Sequence, residues 1–176
     1  MTAESTASTE LPAAGTYRIH PEQSTVCYRG RHMFGLGVVN ATFRINSGEI
    51  LVADQTTSST VTVSIDADSF ASRNMRRDSA VRSAALLDTA AYPDIKFSSH
   101  SLRSDADGWL LSGDVTAHST SVPTEVVIVQ VTHEPDGIRV HAHVQRMDRY
   151  AFGVTRSKGF VGRYLHLTFD IFAIPV

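Results

Sequence analysis

From Thr60 to Asp66 the chain reads Thr-Val-Thr-Val-Ser-Ile-Asp, with Val61, Val63 and Ile65 at alternate positions and polar residues between them. Successive side chains of a strand point to opposite faces, so this pattern describes a strand with one apolar face. The pattern recurs. Ile138, Val140, Ala142 and Val144 alternate with Arg139, His141, His143 and Gln145, and Leu165, Leu167, Phe169 and Ile171 alternate with His166, Thr168 and Asp170. Further strand-like segments fall at 16–19, 24–32, 38–45, 49–53, 95–102, 109–117 and 124–132. Turn-forming residues separate them: His20-Pro21-Glu22-Gln23, Asn46-Ser47-Gly48, Asp105-Ala106-Asp107-Gly108 and Glu134-Pro135-Asp136-Gly137.

The period changes once. Asp68 to Ala91 is rich in Ser, Asp, Arg, Ala and Leu and poor in β-branched residues. Asn74 or Asp78 suits a helix N-cap, and Val81, Ala84, Ala85 and Leu86 are spaced for one helical face. Pro93 ends the segment, because the residue before proline disfavours the helical region. The expectation is a mainly β, mostly antiparallel protein with eight or more strands and one helical insert. Closing the sheet into a barrel and folding it into a sandwich both hide the apolar face, and the pattern alone leaves the two open. The segment 124–132 is apolar on both faces, with Val126 and Ile128 on one and Val127, Val129 and Val131 on the other. Cover by the helical insert or by a second subunit would account for that, so a homodimer stays open.

With 176 residues the chain is expected to be one domain, 15–176, preceded by a disordered tail, 1–14, which holds too few apolar residues to fold alone. A net charge of -2 gives no pull toward nucleic acid. No stretch is long enough for a transmembrane helix, and Met1 to Ala14 lacks the basic start and apolar run of a secretory signal, so an unexported, cytoplasmic protein is expected. Cys27 stands alone, which excludes an internal disulfide. The eight histidines show no zinc-ligand spacing, and no nucleophile elbow, phosphate loop or dinucleotide fingerprint occurs; neither metal nor cofactor is expected.

Several local motifs occur in a characteristic order. Tyr17-Arg18-Ile19 precedes Gln23-Ser24-Thr25-Val26. Ser69-Phe70, Arg77-Asp78 and Leu86-Leu87-Asp88 lead to Tyr92-Pro93-Asp94-Ile95-Lys96-Phe97. Arg146-Met147-Asp148-Arg149-Tyr150-Ala151-Phe152-Gly153 and Gly162-Arg163-Tyr164-Leu165 follow near the end. Over about residues 15 to 176 the chain resembles the YceI-like polyisoprenoid-binding family. It departs from the family pattern at Tyr17-Arg18-Ile19-His20, where Trp-x-Ile-Asp is usual, and at Ala41, where glycine is usual. The resemblance implies an eight-stranded, lipocalin-like antiparallel barrel with a helical insert and a long apolar pocket for an isoprenoid or other lipid chain.

Such a pocket needs an apolar lining with few unpaired polar groups. Val61, Val63, Ile65, Ile95, Phe97, Val127, Val129, Val140, Val144, Leu165, Leu167 and Phe169 are the candidates for its wall, although the same residues could fill a solid core. Phe70, Met75, Leu86 and their neighbours Val81 and Leu87 could form a lid or simply pack a helix onto the barrel. Arg76, Arg77 and Arg82, with Arg73, are candidates for an anionic head group. Arg146, Arg149, Arg156 and Lys158 in the final loop share that ambiguity with a solvated face. The expected function is non-enzymatic binding, carriage or storage of a polyisoprenoid, isoprenoid quinone or fatty-acyl chain. The alternatives are a small barrel enzyme using His and Asp as acid and base, which needs a His beside a carboxylate in the pocket, and a ligand-free interaction module.

Overall fold

The computed structural model describes residues 10–106 and 108–176; residues 1–9 of the expected tail, and Asp107 of an expected turn, lie outside the described residues. The strands are β1 (Gly15–Ile19), β2 (Thr25–His32), β3 (Gly37–Val52), β4 (Thr60–Ala71), β5 (Asp94–Asp105), β6 (Gly108–Ala117), β7 (Thr120–Glu134), β8 (Gly137–Asp148) and β9 (Tyr164–Pro175). One helix, α1 (Met75–Arg82), interrupts them between β4 and β5. All pairings between strands are antiparallel, and the sheet closes through β3 against β4. β1 and β2 both lie between β3 and β9, one after the other, so the nine strands make the eight staves of a closed barrel. Closure decides between barrel and sandwich and removes the sheet edges.

Three elements differ from the sequence expectation. Asn46-Ser47-Gly48 is not a hairpin. β3 runs straight through it, and a bulge between Ile45 and Ser47 absorbs the turn-forming residues. This keeps Ile45 and then Ile50 and Val52 on the inner side, since a bulge shifts the alternation by one residue. β4 continues five residues beyond Asp66, to Ala71. The insert is helical for only eight residues; from Ser83 to Tyr92 it is a chain of turns, including Leu86 N–H to Ser83 O (3.0 Å) and Tyr92 N–H to Asp88 O (2.8 Å).

The insert is held to the barrel by side chains more than by its own helix. Asn74 is the N-cap, its Oδ1 accepting from Arg77 N (3.0 Å). Asp78, the other cap candidate, is buried and accepts from both the backbone N (2.9 Å) and the Oγ (2.6 Å) of Ser72. Thr89 donates to Asp68 (2.7 Å), and Arg82 Nη2 donates to the Phe70 carbonyl (2.7 Å).

The two ends of the barrel are built differently. At the loop end meet the β2–β3 turn, the insert, the β6–β7 turn and the long segment 149–163. At the opposite end, Leu11 and Pro12 pack across the barrel, and Tyr17 Oη donates to the Ala13 carbonyl (2.9 Å) to hold them.

Candidate functional site

An apolar cavity of about 220 Å³ runs through the barrel. Its lining begins at Leu11, Pro12 and Val52, continues past Val63, Phe97, Val140 and Leu167, and ends at Arg149, Phe152 and Val154. A small volume spread over the height of a barrel whose longest stave has 16 residues makes a narrow tunnel. Its shape matches an extended chain.

The tunnel exists because inward positions are small or branched on most staves and because two inward glycines yield space. Gly113 faces inward on β6; a Cβ there would lie 2.5 Å from the Ser98 carbonyl and 2.8 Å from the Phe97 ring. Gly30 on β2 leaves room for Tyr28, whose hydroxyl lies where a Cβ at position 30 would stand. Phe70 is 2% exposed and packs edge-on to Tyr28 (5.5 Å) and to Phe43 (5.3 Å), closing the wall beneath the insert.

Of the ionisable residues along the tunnel, Tyr28 and Arg149 face it, whereas Lys96 alternates with the inward Ile95 and Phe97 and has an exposed side chain. Arg149 is buried, 5% exposed, and its guanidinium is bonded to backbone carbonyls alone: Nε to Gly162 (2.8 Å), Nη1 to Val154 (2.6 Å) and Arg156 (3.0 Å), Nη2 to Val161 (2.9 Å). It therefore knits the segment 153–162 onto the end of β8 and leaves a positive charge at the tunnel's end. Burial lowers its pKa, opposed by Tyr150, Tyr28 and Asp148. Burial raises the pKa of the Tyr28 phenol, and the positive charges of Arg149 and Arg77 oppose that rise. The loop end of the tunnel thus pairs a neutral phenol with a buried cation, while the shaft below holds hydrocarbon.

A model of the YceI-like domain matches residues 17–173. The chain belongs to the YceI-like family. Protein YceI of Escherichia coli O17:K52:H18 (strain UMN026 / ExPEC) is 30% identical over 113 residues, which are 62% of this chain and 59% of that protein. The chain therefore spans about 59% of the length of the curated relatives it matches. BcnA of Burkholderia cenocepacia superposes with a TM-score of 0.76 at 15% identity, over 88% of this chain and 98% of BcnA. A polyisoprenoid binding domain from Saccharophagus degradans, implicated in plant cell wall breakdown, superposes with a TM-score of 0.63 at 13% identity, over 91% of this chain and 98% of that domain. At these identities the two structures establish a shared barrel.

Within this YceI-like barrel, ten of the expected wall residues face the tunnel: Val61, Val63, Ile65, Ile95, Phe97, Val140, Val144, Leu165, Leu167 and Phe169. Two do not. Val127 and Val129 lie on the outer side of β7, with Val129 38% exposed, and Val126, Ile128 and Val131 take the wall instead. The cause is a bulge between Ile128 and Gln130, which brings Val131 onto the face of Val126 and Ile128. The doubly apolar look of this strand comes from that phase change, and the pair left outside is no more apolar than many exposed surfaces.

Three lid candidates also move. Phe70 belongs to the core wall. Met75 is 86% exposed, because it opens a short helix whose sequence, Met-Arg-Arg-Asp-Ser-Ala-Val-Arg, carries no apolar stripe. Leu86 packs behind the tunnel's end, against Val115, Ala117, Phe152 and Val154.

The arginines of the insert separate as well. Arg76 is exposed. Arg82 is tied to the Phe70 carbonyl, its buried Nε having no partner among the described residues. Arg77 donates to Ser72 Oγ (3.2 Å) and lies close enough to Tyr28 to influence its titration. Sequence reasoning missed Leu11 and Pro12, which sit in a stretch with no strand period, and it could not separate Arg149 from its exposed neighbours Arg146 and Arg156.

Proposed function

We propose that the protein binds one long apolar chain, a polyisoprenoid or a related lipid such as an isoprenoid quinone or fatty acid, inside the barrel and carries or stores it without chemical change. The observation that carries this reading is the tunnel: narrow, walled by aliphatic and aromatic side chains from all eight staves, and polar only near its ends. Each methylene moved from water into such a wall contributes about 0.8 kcal/mol, so a chain of many carbons is held tightly without a single directional contact. The likeness to the polyisoprenoid binding domain of Saccharophagus degradans supports the same class of ligand. Binding without catalysis is supported by the lining, where the ionisable groups facing the tunnel are a phenol and an arginine and no imidazole or carboxylate faces it among the described residues.

The wall discriminates weakly among chains, since one methylene more or less changes binding by only about 1–3 kcal/mol. Selection falls to the loop end, where Tyr28, Arg149 and Arg77 would meet the polar head. We expect chain-class specificity with a preference for a head that accepts hydrogen bonds. The test is mass spectrometry of an organic extract of the protein purified from its own cells. A stoichiometric isoprenoid or acyl lipid is the expected result. An empty extract, followed by failure to take up added polyprenyl and acyl lipids, would overturn the reading.

A further inference from the structure

We propose that the loop end of the barrel docks on the surface of an anionic lipid bilayer. The β2–β3 turn puts Phe34 and Leu36 into solvent at 79% and 88% exposure, and Phe160 stands beside them at 51%. The turn and the segment carrying Phe160 form one surface, because Met33 N donates to the Phe160 carbonyl (2.7 Å) and Phe34 N to the Gly159 carbonyl (3.2 Å). Met33 and Phe34 both hold positive φ, 52° and 57°, a conformation that non-glycine residues rarely adopt. Folding alone gives no reason to strain two successive residues in order to expose large apolar side chains. An apolar acyl boundary does, since burying such side chains there is favourable.

Charge identifies the partner. Eleven of the 16 basic side chains lie in the segments that build this end: two in 29–37, four in 72–93 and five in 146–163. Those same segments hold three of the 18 acidic side chains, Asp78, Asp88 and Asp148, and Asp66, Asp68 and Asp94 lie at the strand ends beside the insert, Asp68 accepting from Thr89. Asp78 is buried against Ser72, Asp148 is paired with Arg163 (2.7 Å) and Asp66 with Arg44 (3.0 Å), so basic side chains outnumber the acidic ones presented at this end. The loop end is thus net cationic in a chain whose net charge is -2. Apolar side chains ringed by exposed basic ones such as Arg29, Arg156 and Lys158 suit lipid head groups of negative charge. The surface is continuous with the tunnel, because Arg149 at its end is bonded to the carbonyls of Val161 and Gly162, next to Phe160. Docking would set the loop end of the tunnel against the bilayer, where a lipid chain is taken up or released.

The test is co-sedimentation of the full chain with vesicles of phosphatidylcholine alone and of phosphatidylcholine with about one third phosphatidylglycerol. Binding at least about tenfold tighter to the anionic vesicles, and weakening as salt rises, is expected. Phe34→Asp with Leu36→Asp, and separately Phe160→Asp, should each reduce that binding about tenfold or more while the circular dichroism spectrum stays that of a β protein. Arg156→Glu with Lys158→Glu should remove much of the anionic preference. Equal partitioning into both vesicle types, or unchanged binding by the Phe34/Leu36 variant, would overturn the proposal. So would a dimer in solution that the Phe34/Leu36 variant disperses while no vesicle binding is seen, which would assign the patch to a second copy. The vesicle measurement needs no chain in the barrel, so its failure leaves the cavity reading standing, and an empty tunnel would not affect it.

Discussion

The shaft of the barrel and its loop end are made of different materials. In the shaft, backbone hydrogen bonds run mostly between neighbouring strands, with exceptions such as Val61 N to Ser99 Oγ (2.7 Å), and wall side chains such as Val63, Val140 and Leu167 contribute surface and nothing directional. At the loop end one buried side chain, Arg149, holds four backbone carbonyls of a segment that has no ladder of its own. A shaft of this kind tolerates substitution and accepts any chain of suitable width. A loop end of this kind depends on one residue. On the proposed function, affinity and selectivity would be located in different places along the same tunnel.

The comparison breaks most sharply at Arg149. Arg149→Met strands the carbonyls of Val154, Arg156, Val161 and Gly162, and because each unpaired buried group costs about 1–3 kcal/mol before water relieves it, we expect a loss of at least about 3 kcal/mol. For a domain of this size that lowers Tm by roughly 6–12 °C in a thermal melt. Amide exchange should quicken across 153–162 and stay slow in β8 and β9, which separates loss of the loop end from loss of the shaft. Gly113→Ala attacks the shaft instead. The added Cβ meets the Ser98 carbonyl and pushes the Phe97 ring toward the tunnel, with a cost of about 1–3 kcal/mol and weaker uptake of a chain, measurable by melting and by lipid titration together. Asp78→Ala leaves the Ser72 N–H and hydroxyl without their acceptor, and about 1–3 kcal/mol of stability should go, with faster exchange in α1 and the turns after it and none in β8.

The smallest effect is a pH effect. Arg163 holds the Asp148 carboxyl below its ordinary pKa through hydrogen bonds of 2.7 and 3.0 Å, helped by the Tyr150 backbone. A depressed folded pKa stabilises the protein above the unfolded value, near 3.9, and the contribution disappears as pH falls through the folded value. Solvent screens the pair, so the effect on stability is the smallest of the set. Asp148→Asn should lower Tm slightly at neutral pH and make no difference at strongly acid pH; equal Tm differences at both would contradict the assignment.

What could be read from the sequence follows the same division. On β4, β8 and β9 the alternation follows the tunnel wall from Val61 to Ile65, from Ile138 to Val144 and from Leu165 to Ile171, because nothing interrupts the pleat over those stretches; past Val144 a bulge brings Met147 onto the wall. β7 shows the limit: a bulge changes which valines face inward, and a bulge has no fixed residue signature here. The turn-like Asn46-Ser47-Gly48 misled for a related reason, since partners on both sides, β1 and β4, keep β3 extended where local preference would turn it. The helical spacing of Val81, Ala84, Ala85 and Leu86 was outweighed by tertiary bonds, with the chain after Arg82 turning so that Thr89 reaches Asp68 and Leu86 reaches Phe152 and Val154. Arg149 was indistinguishable in sequence from the other arginines of its segment, because its role depends on carbonyls that fold around it from up to 13 residues away.

The central claim is that a single extended chain occupies the shaft. Native mass spectrometry of the protein titrated with a polyprenyl lipid, beside a Val140→Phe/Leu167→Phe variant whose larger side chains fill the shaft, tests it most directly. The account predicts one bound chain per wild-type protein and at least about tenfold weaker binding by the variant, whose Tm should change little because the new rings enter open space. Equal binding by a folded variant would place the ligand outside the shaft and contradict the claim.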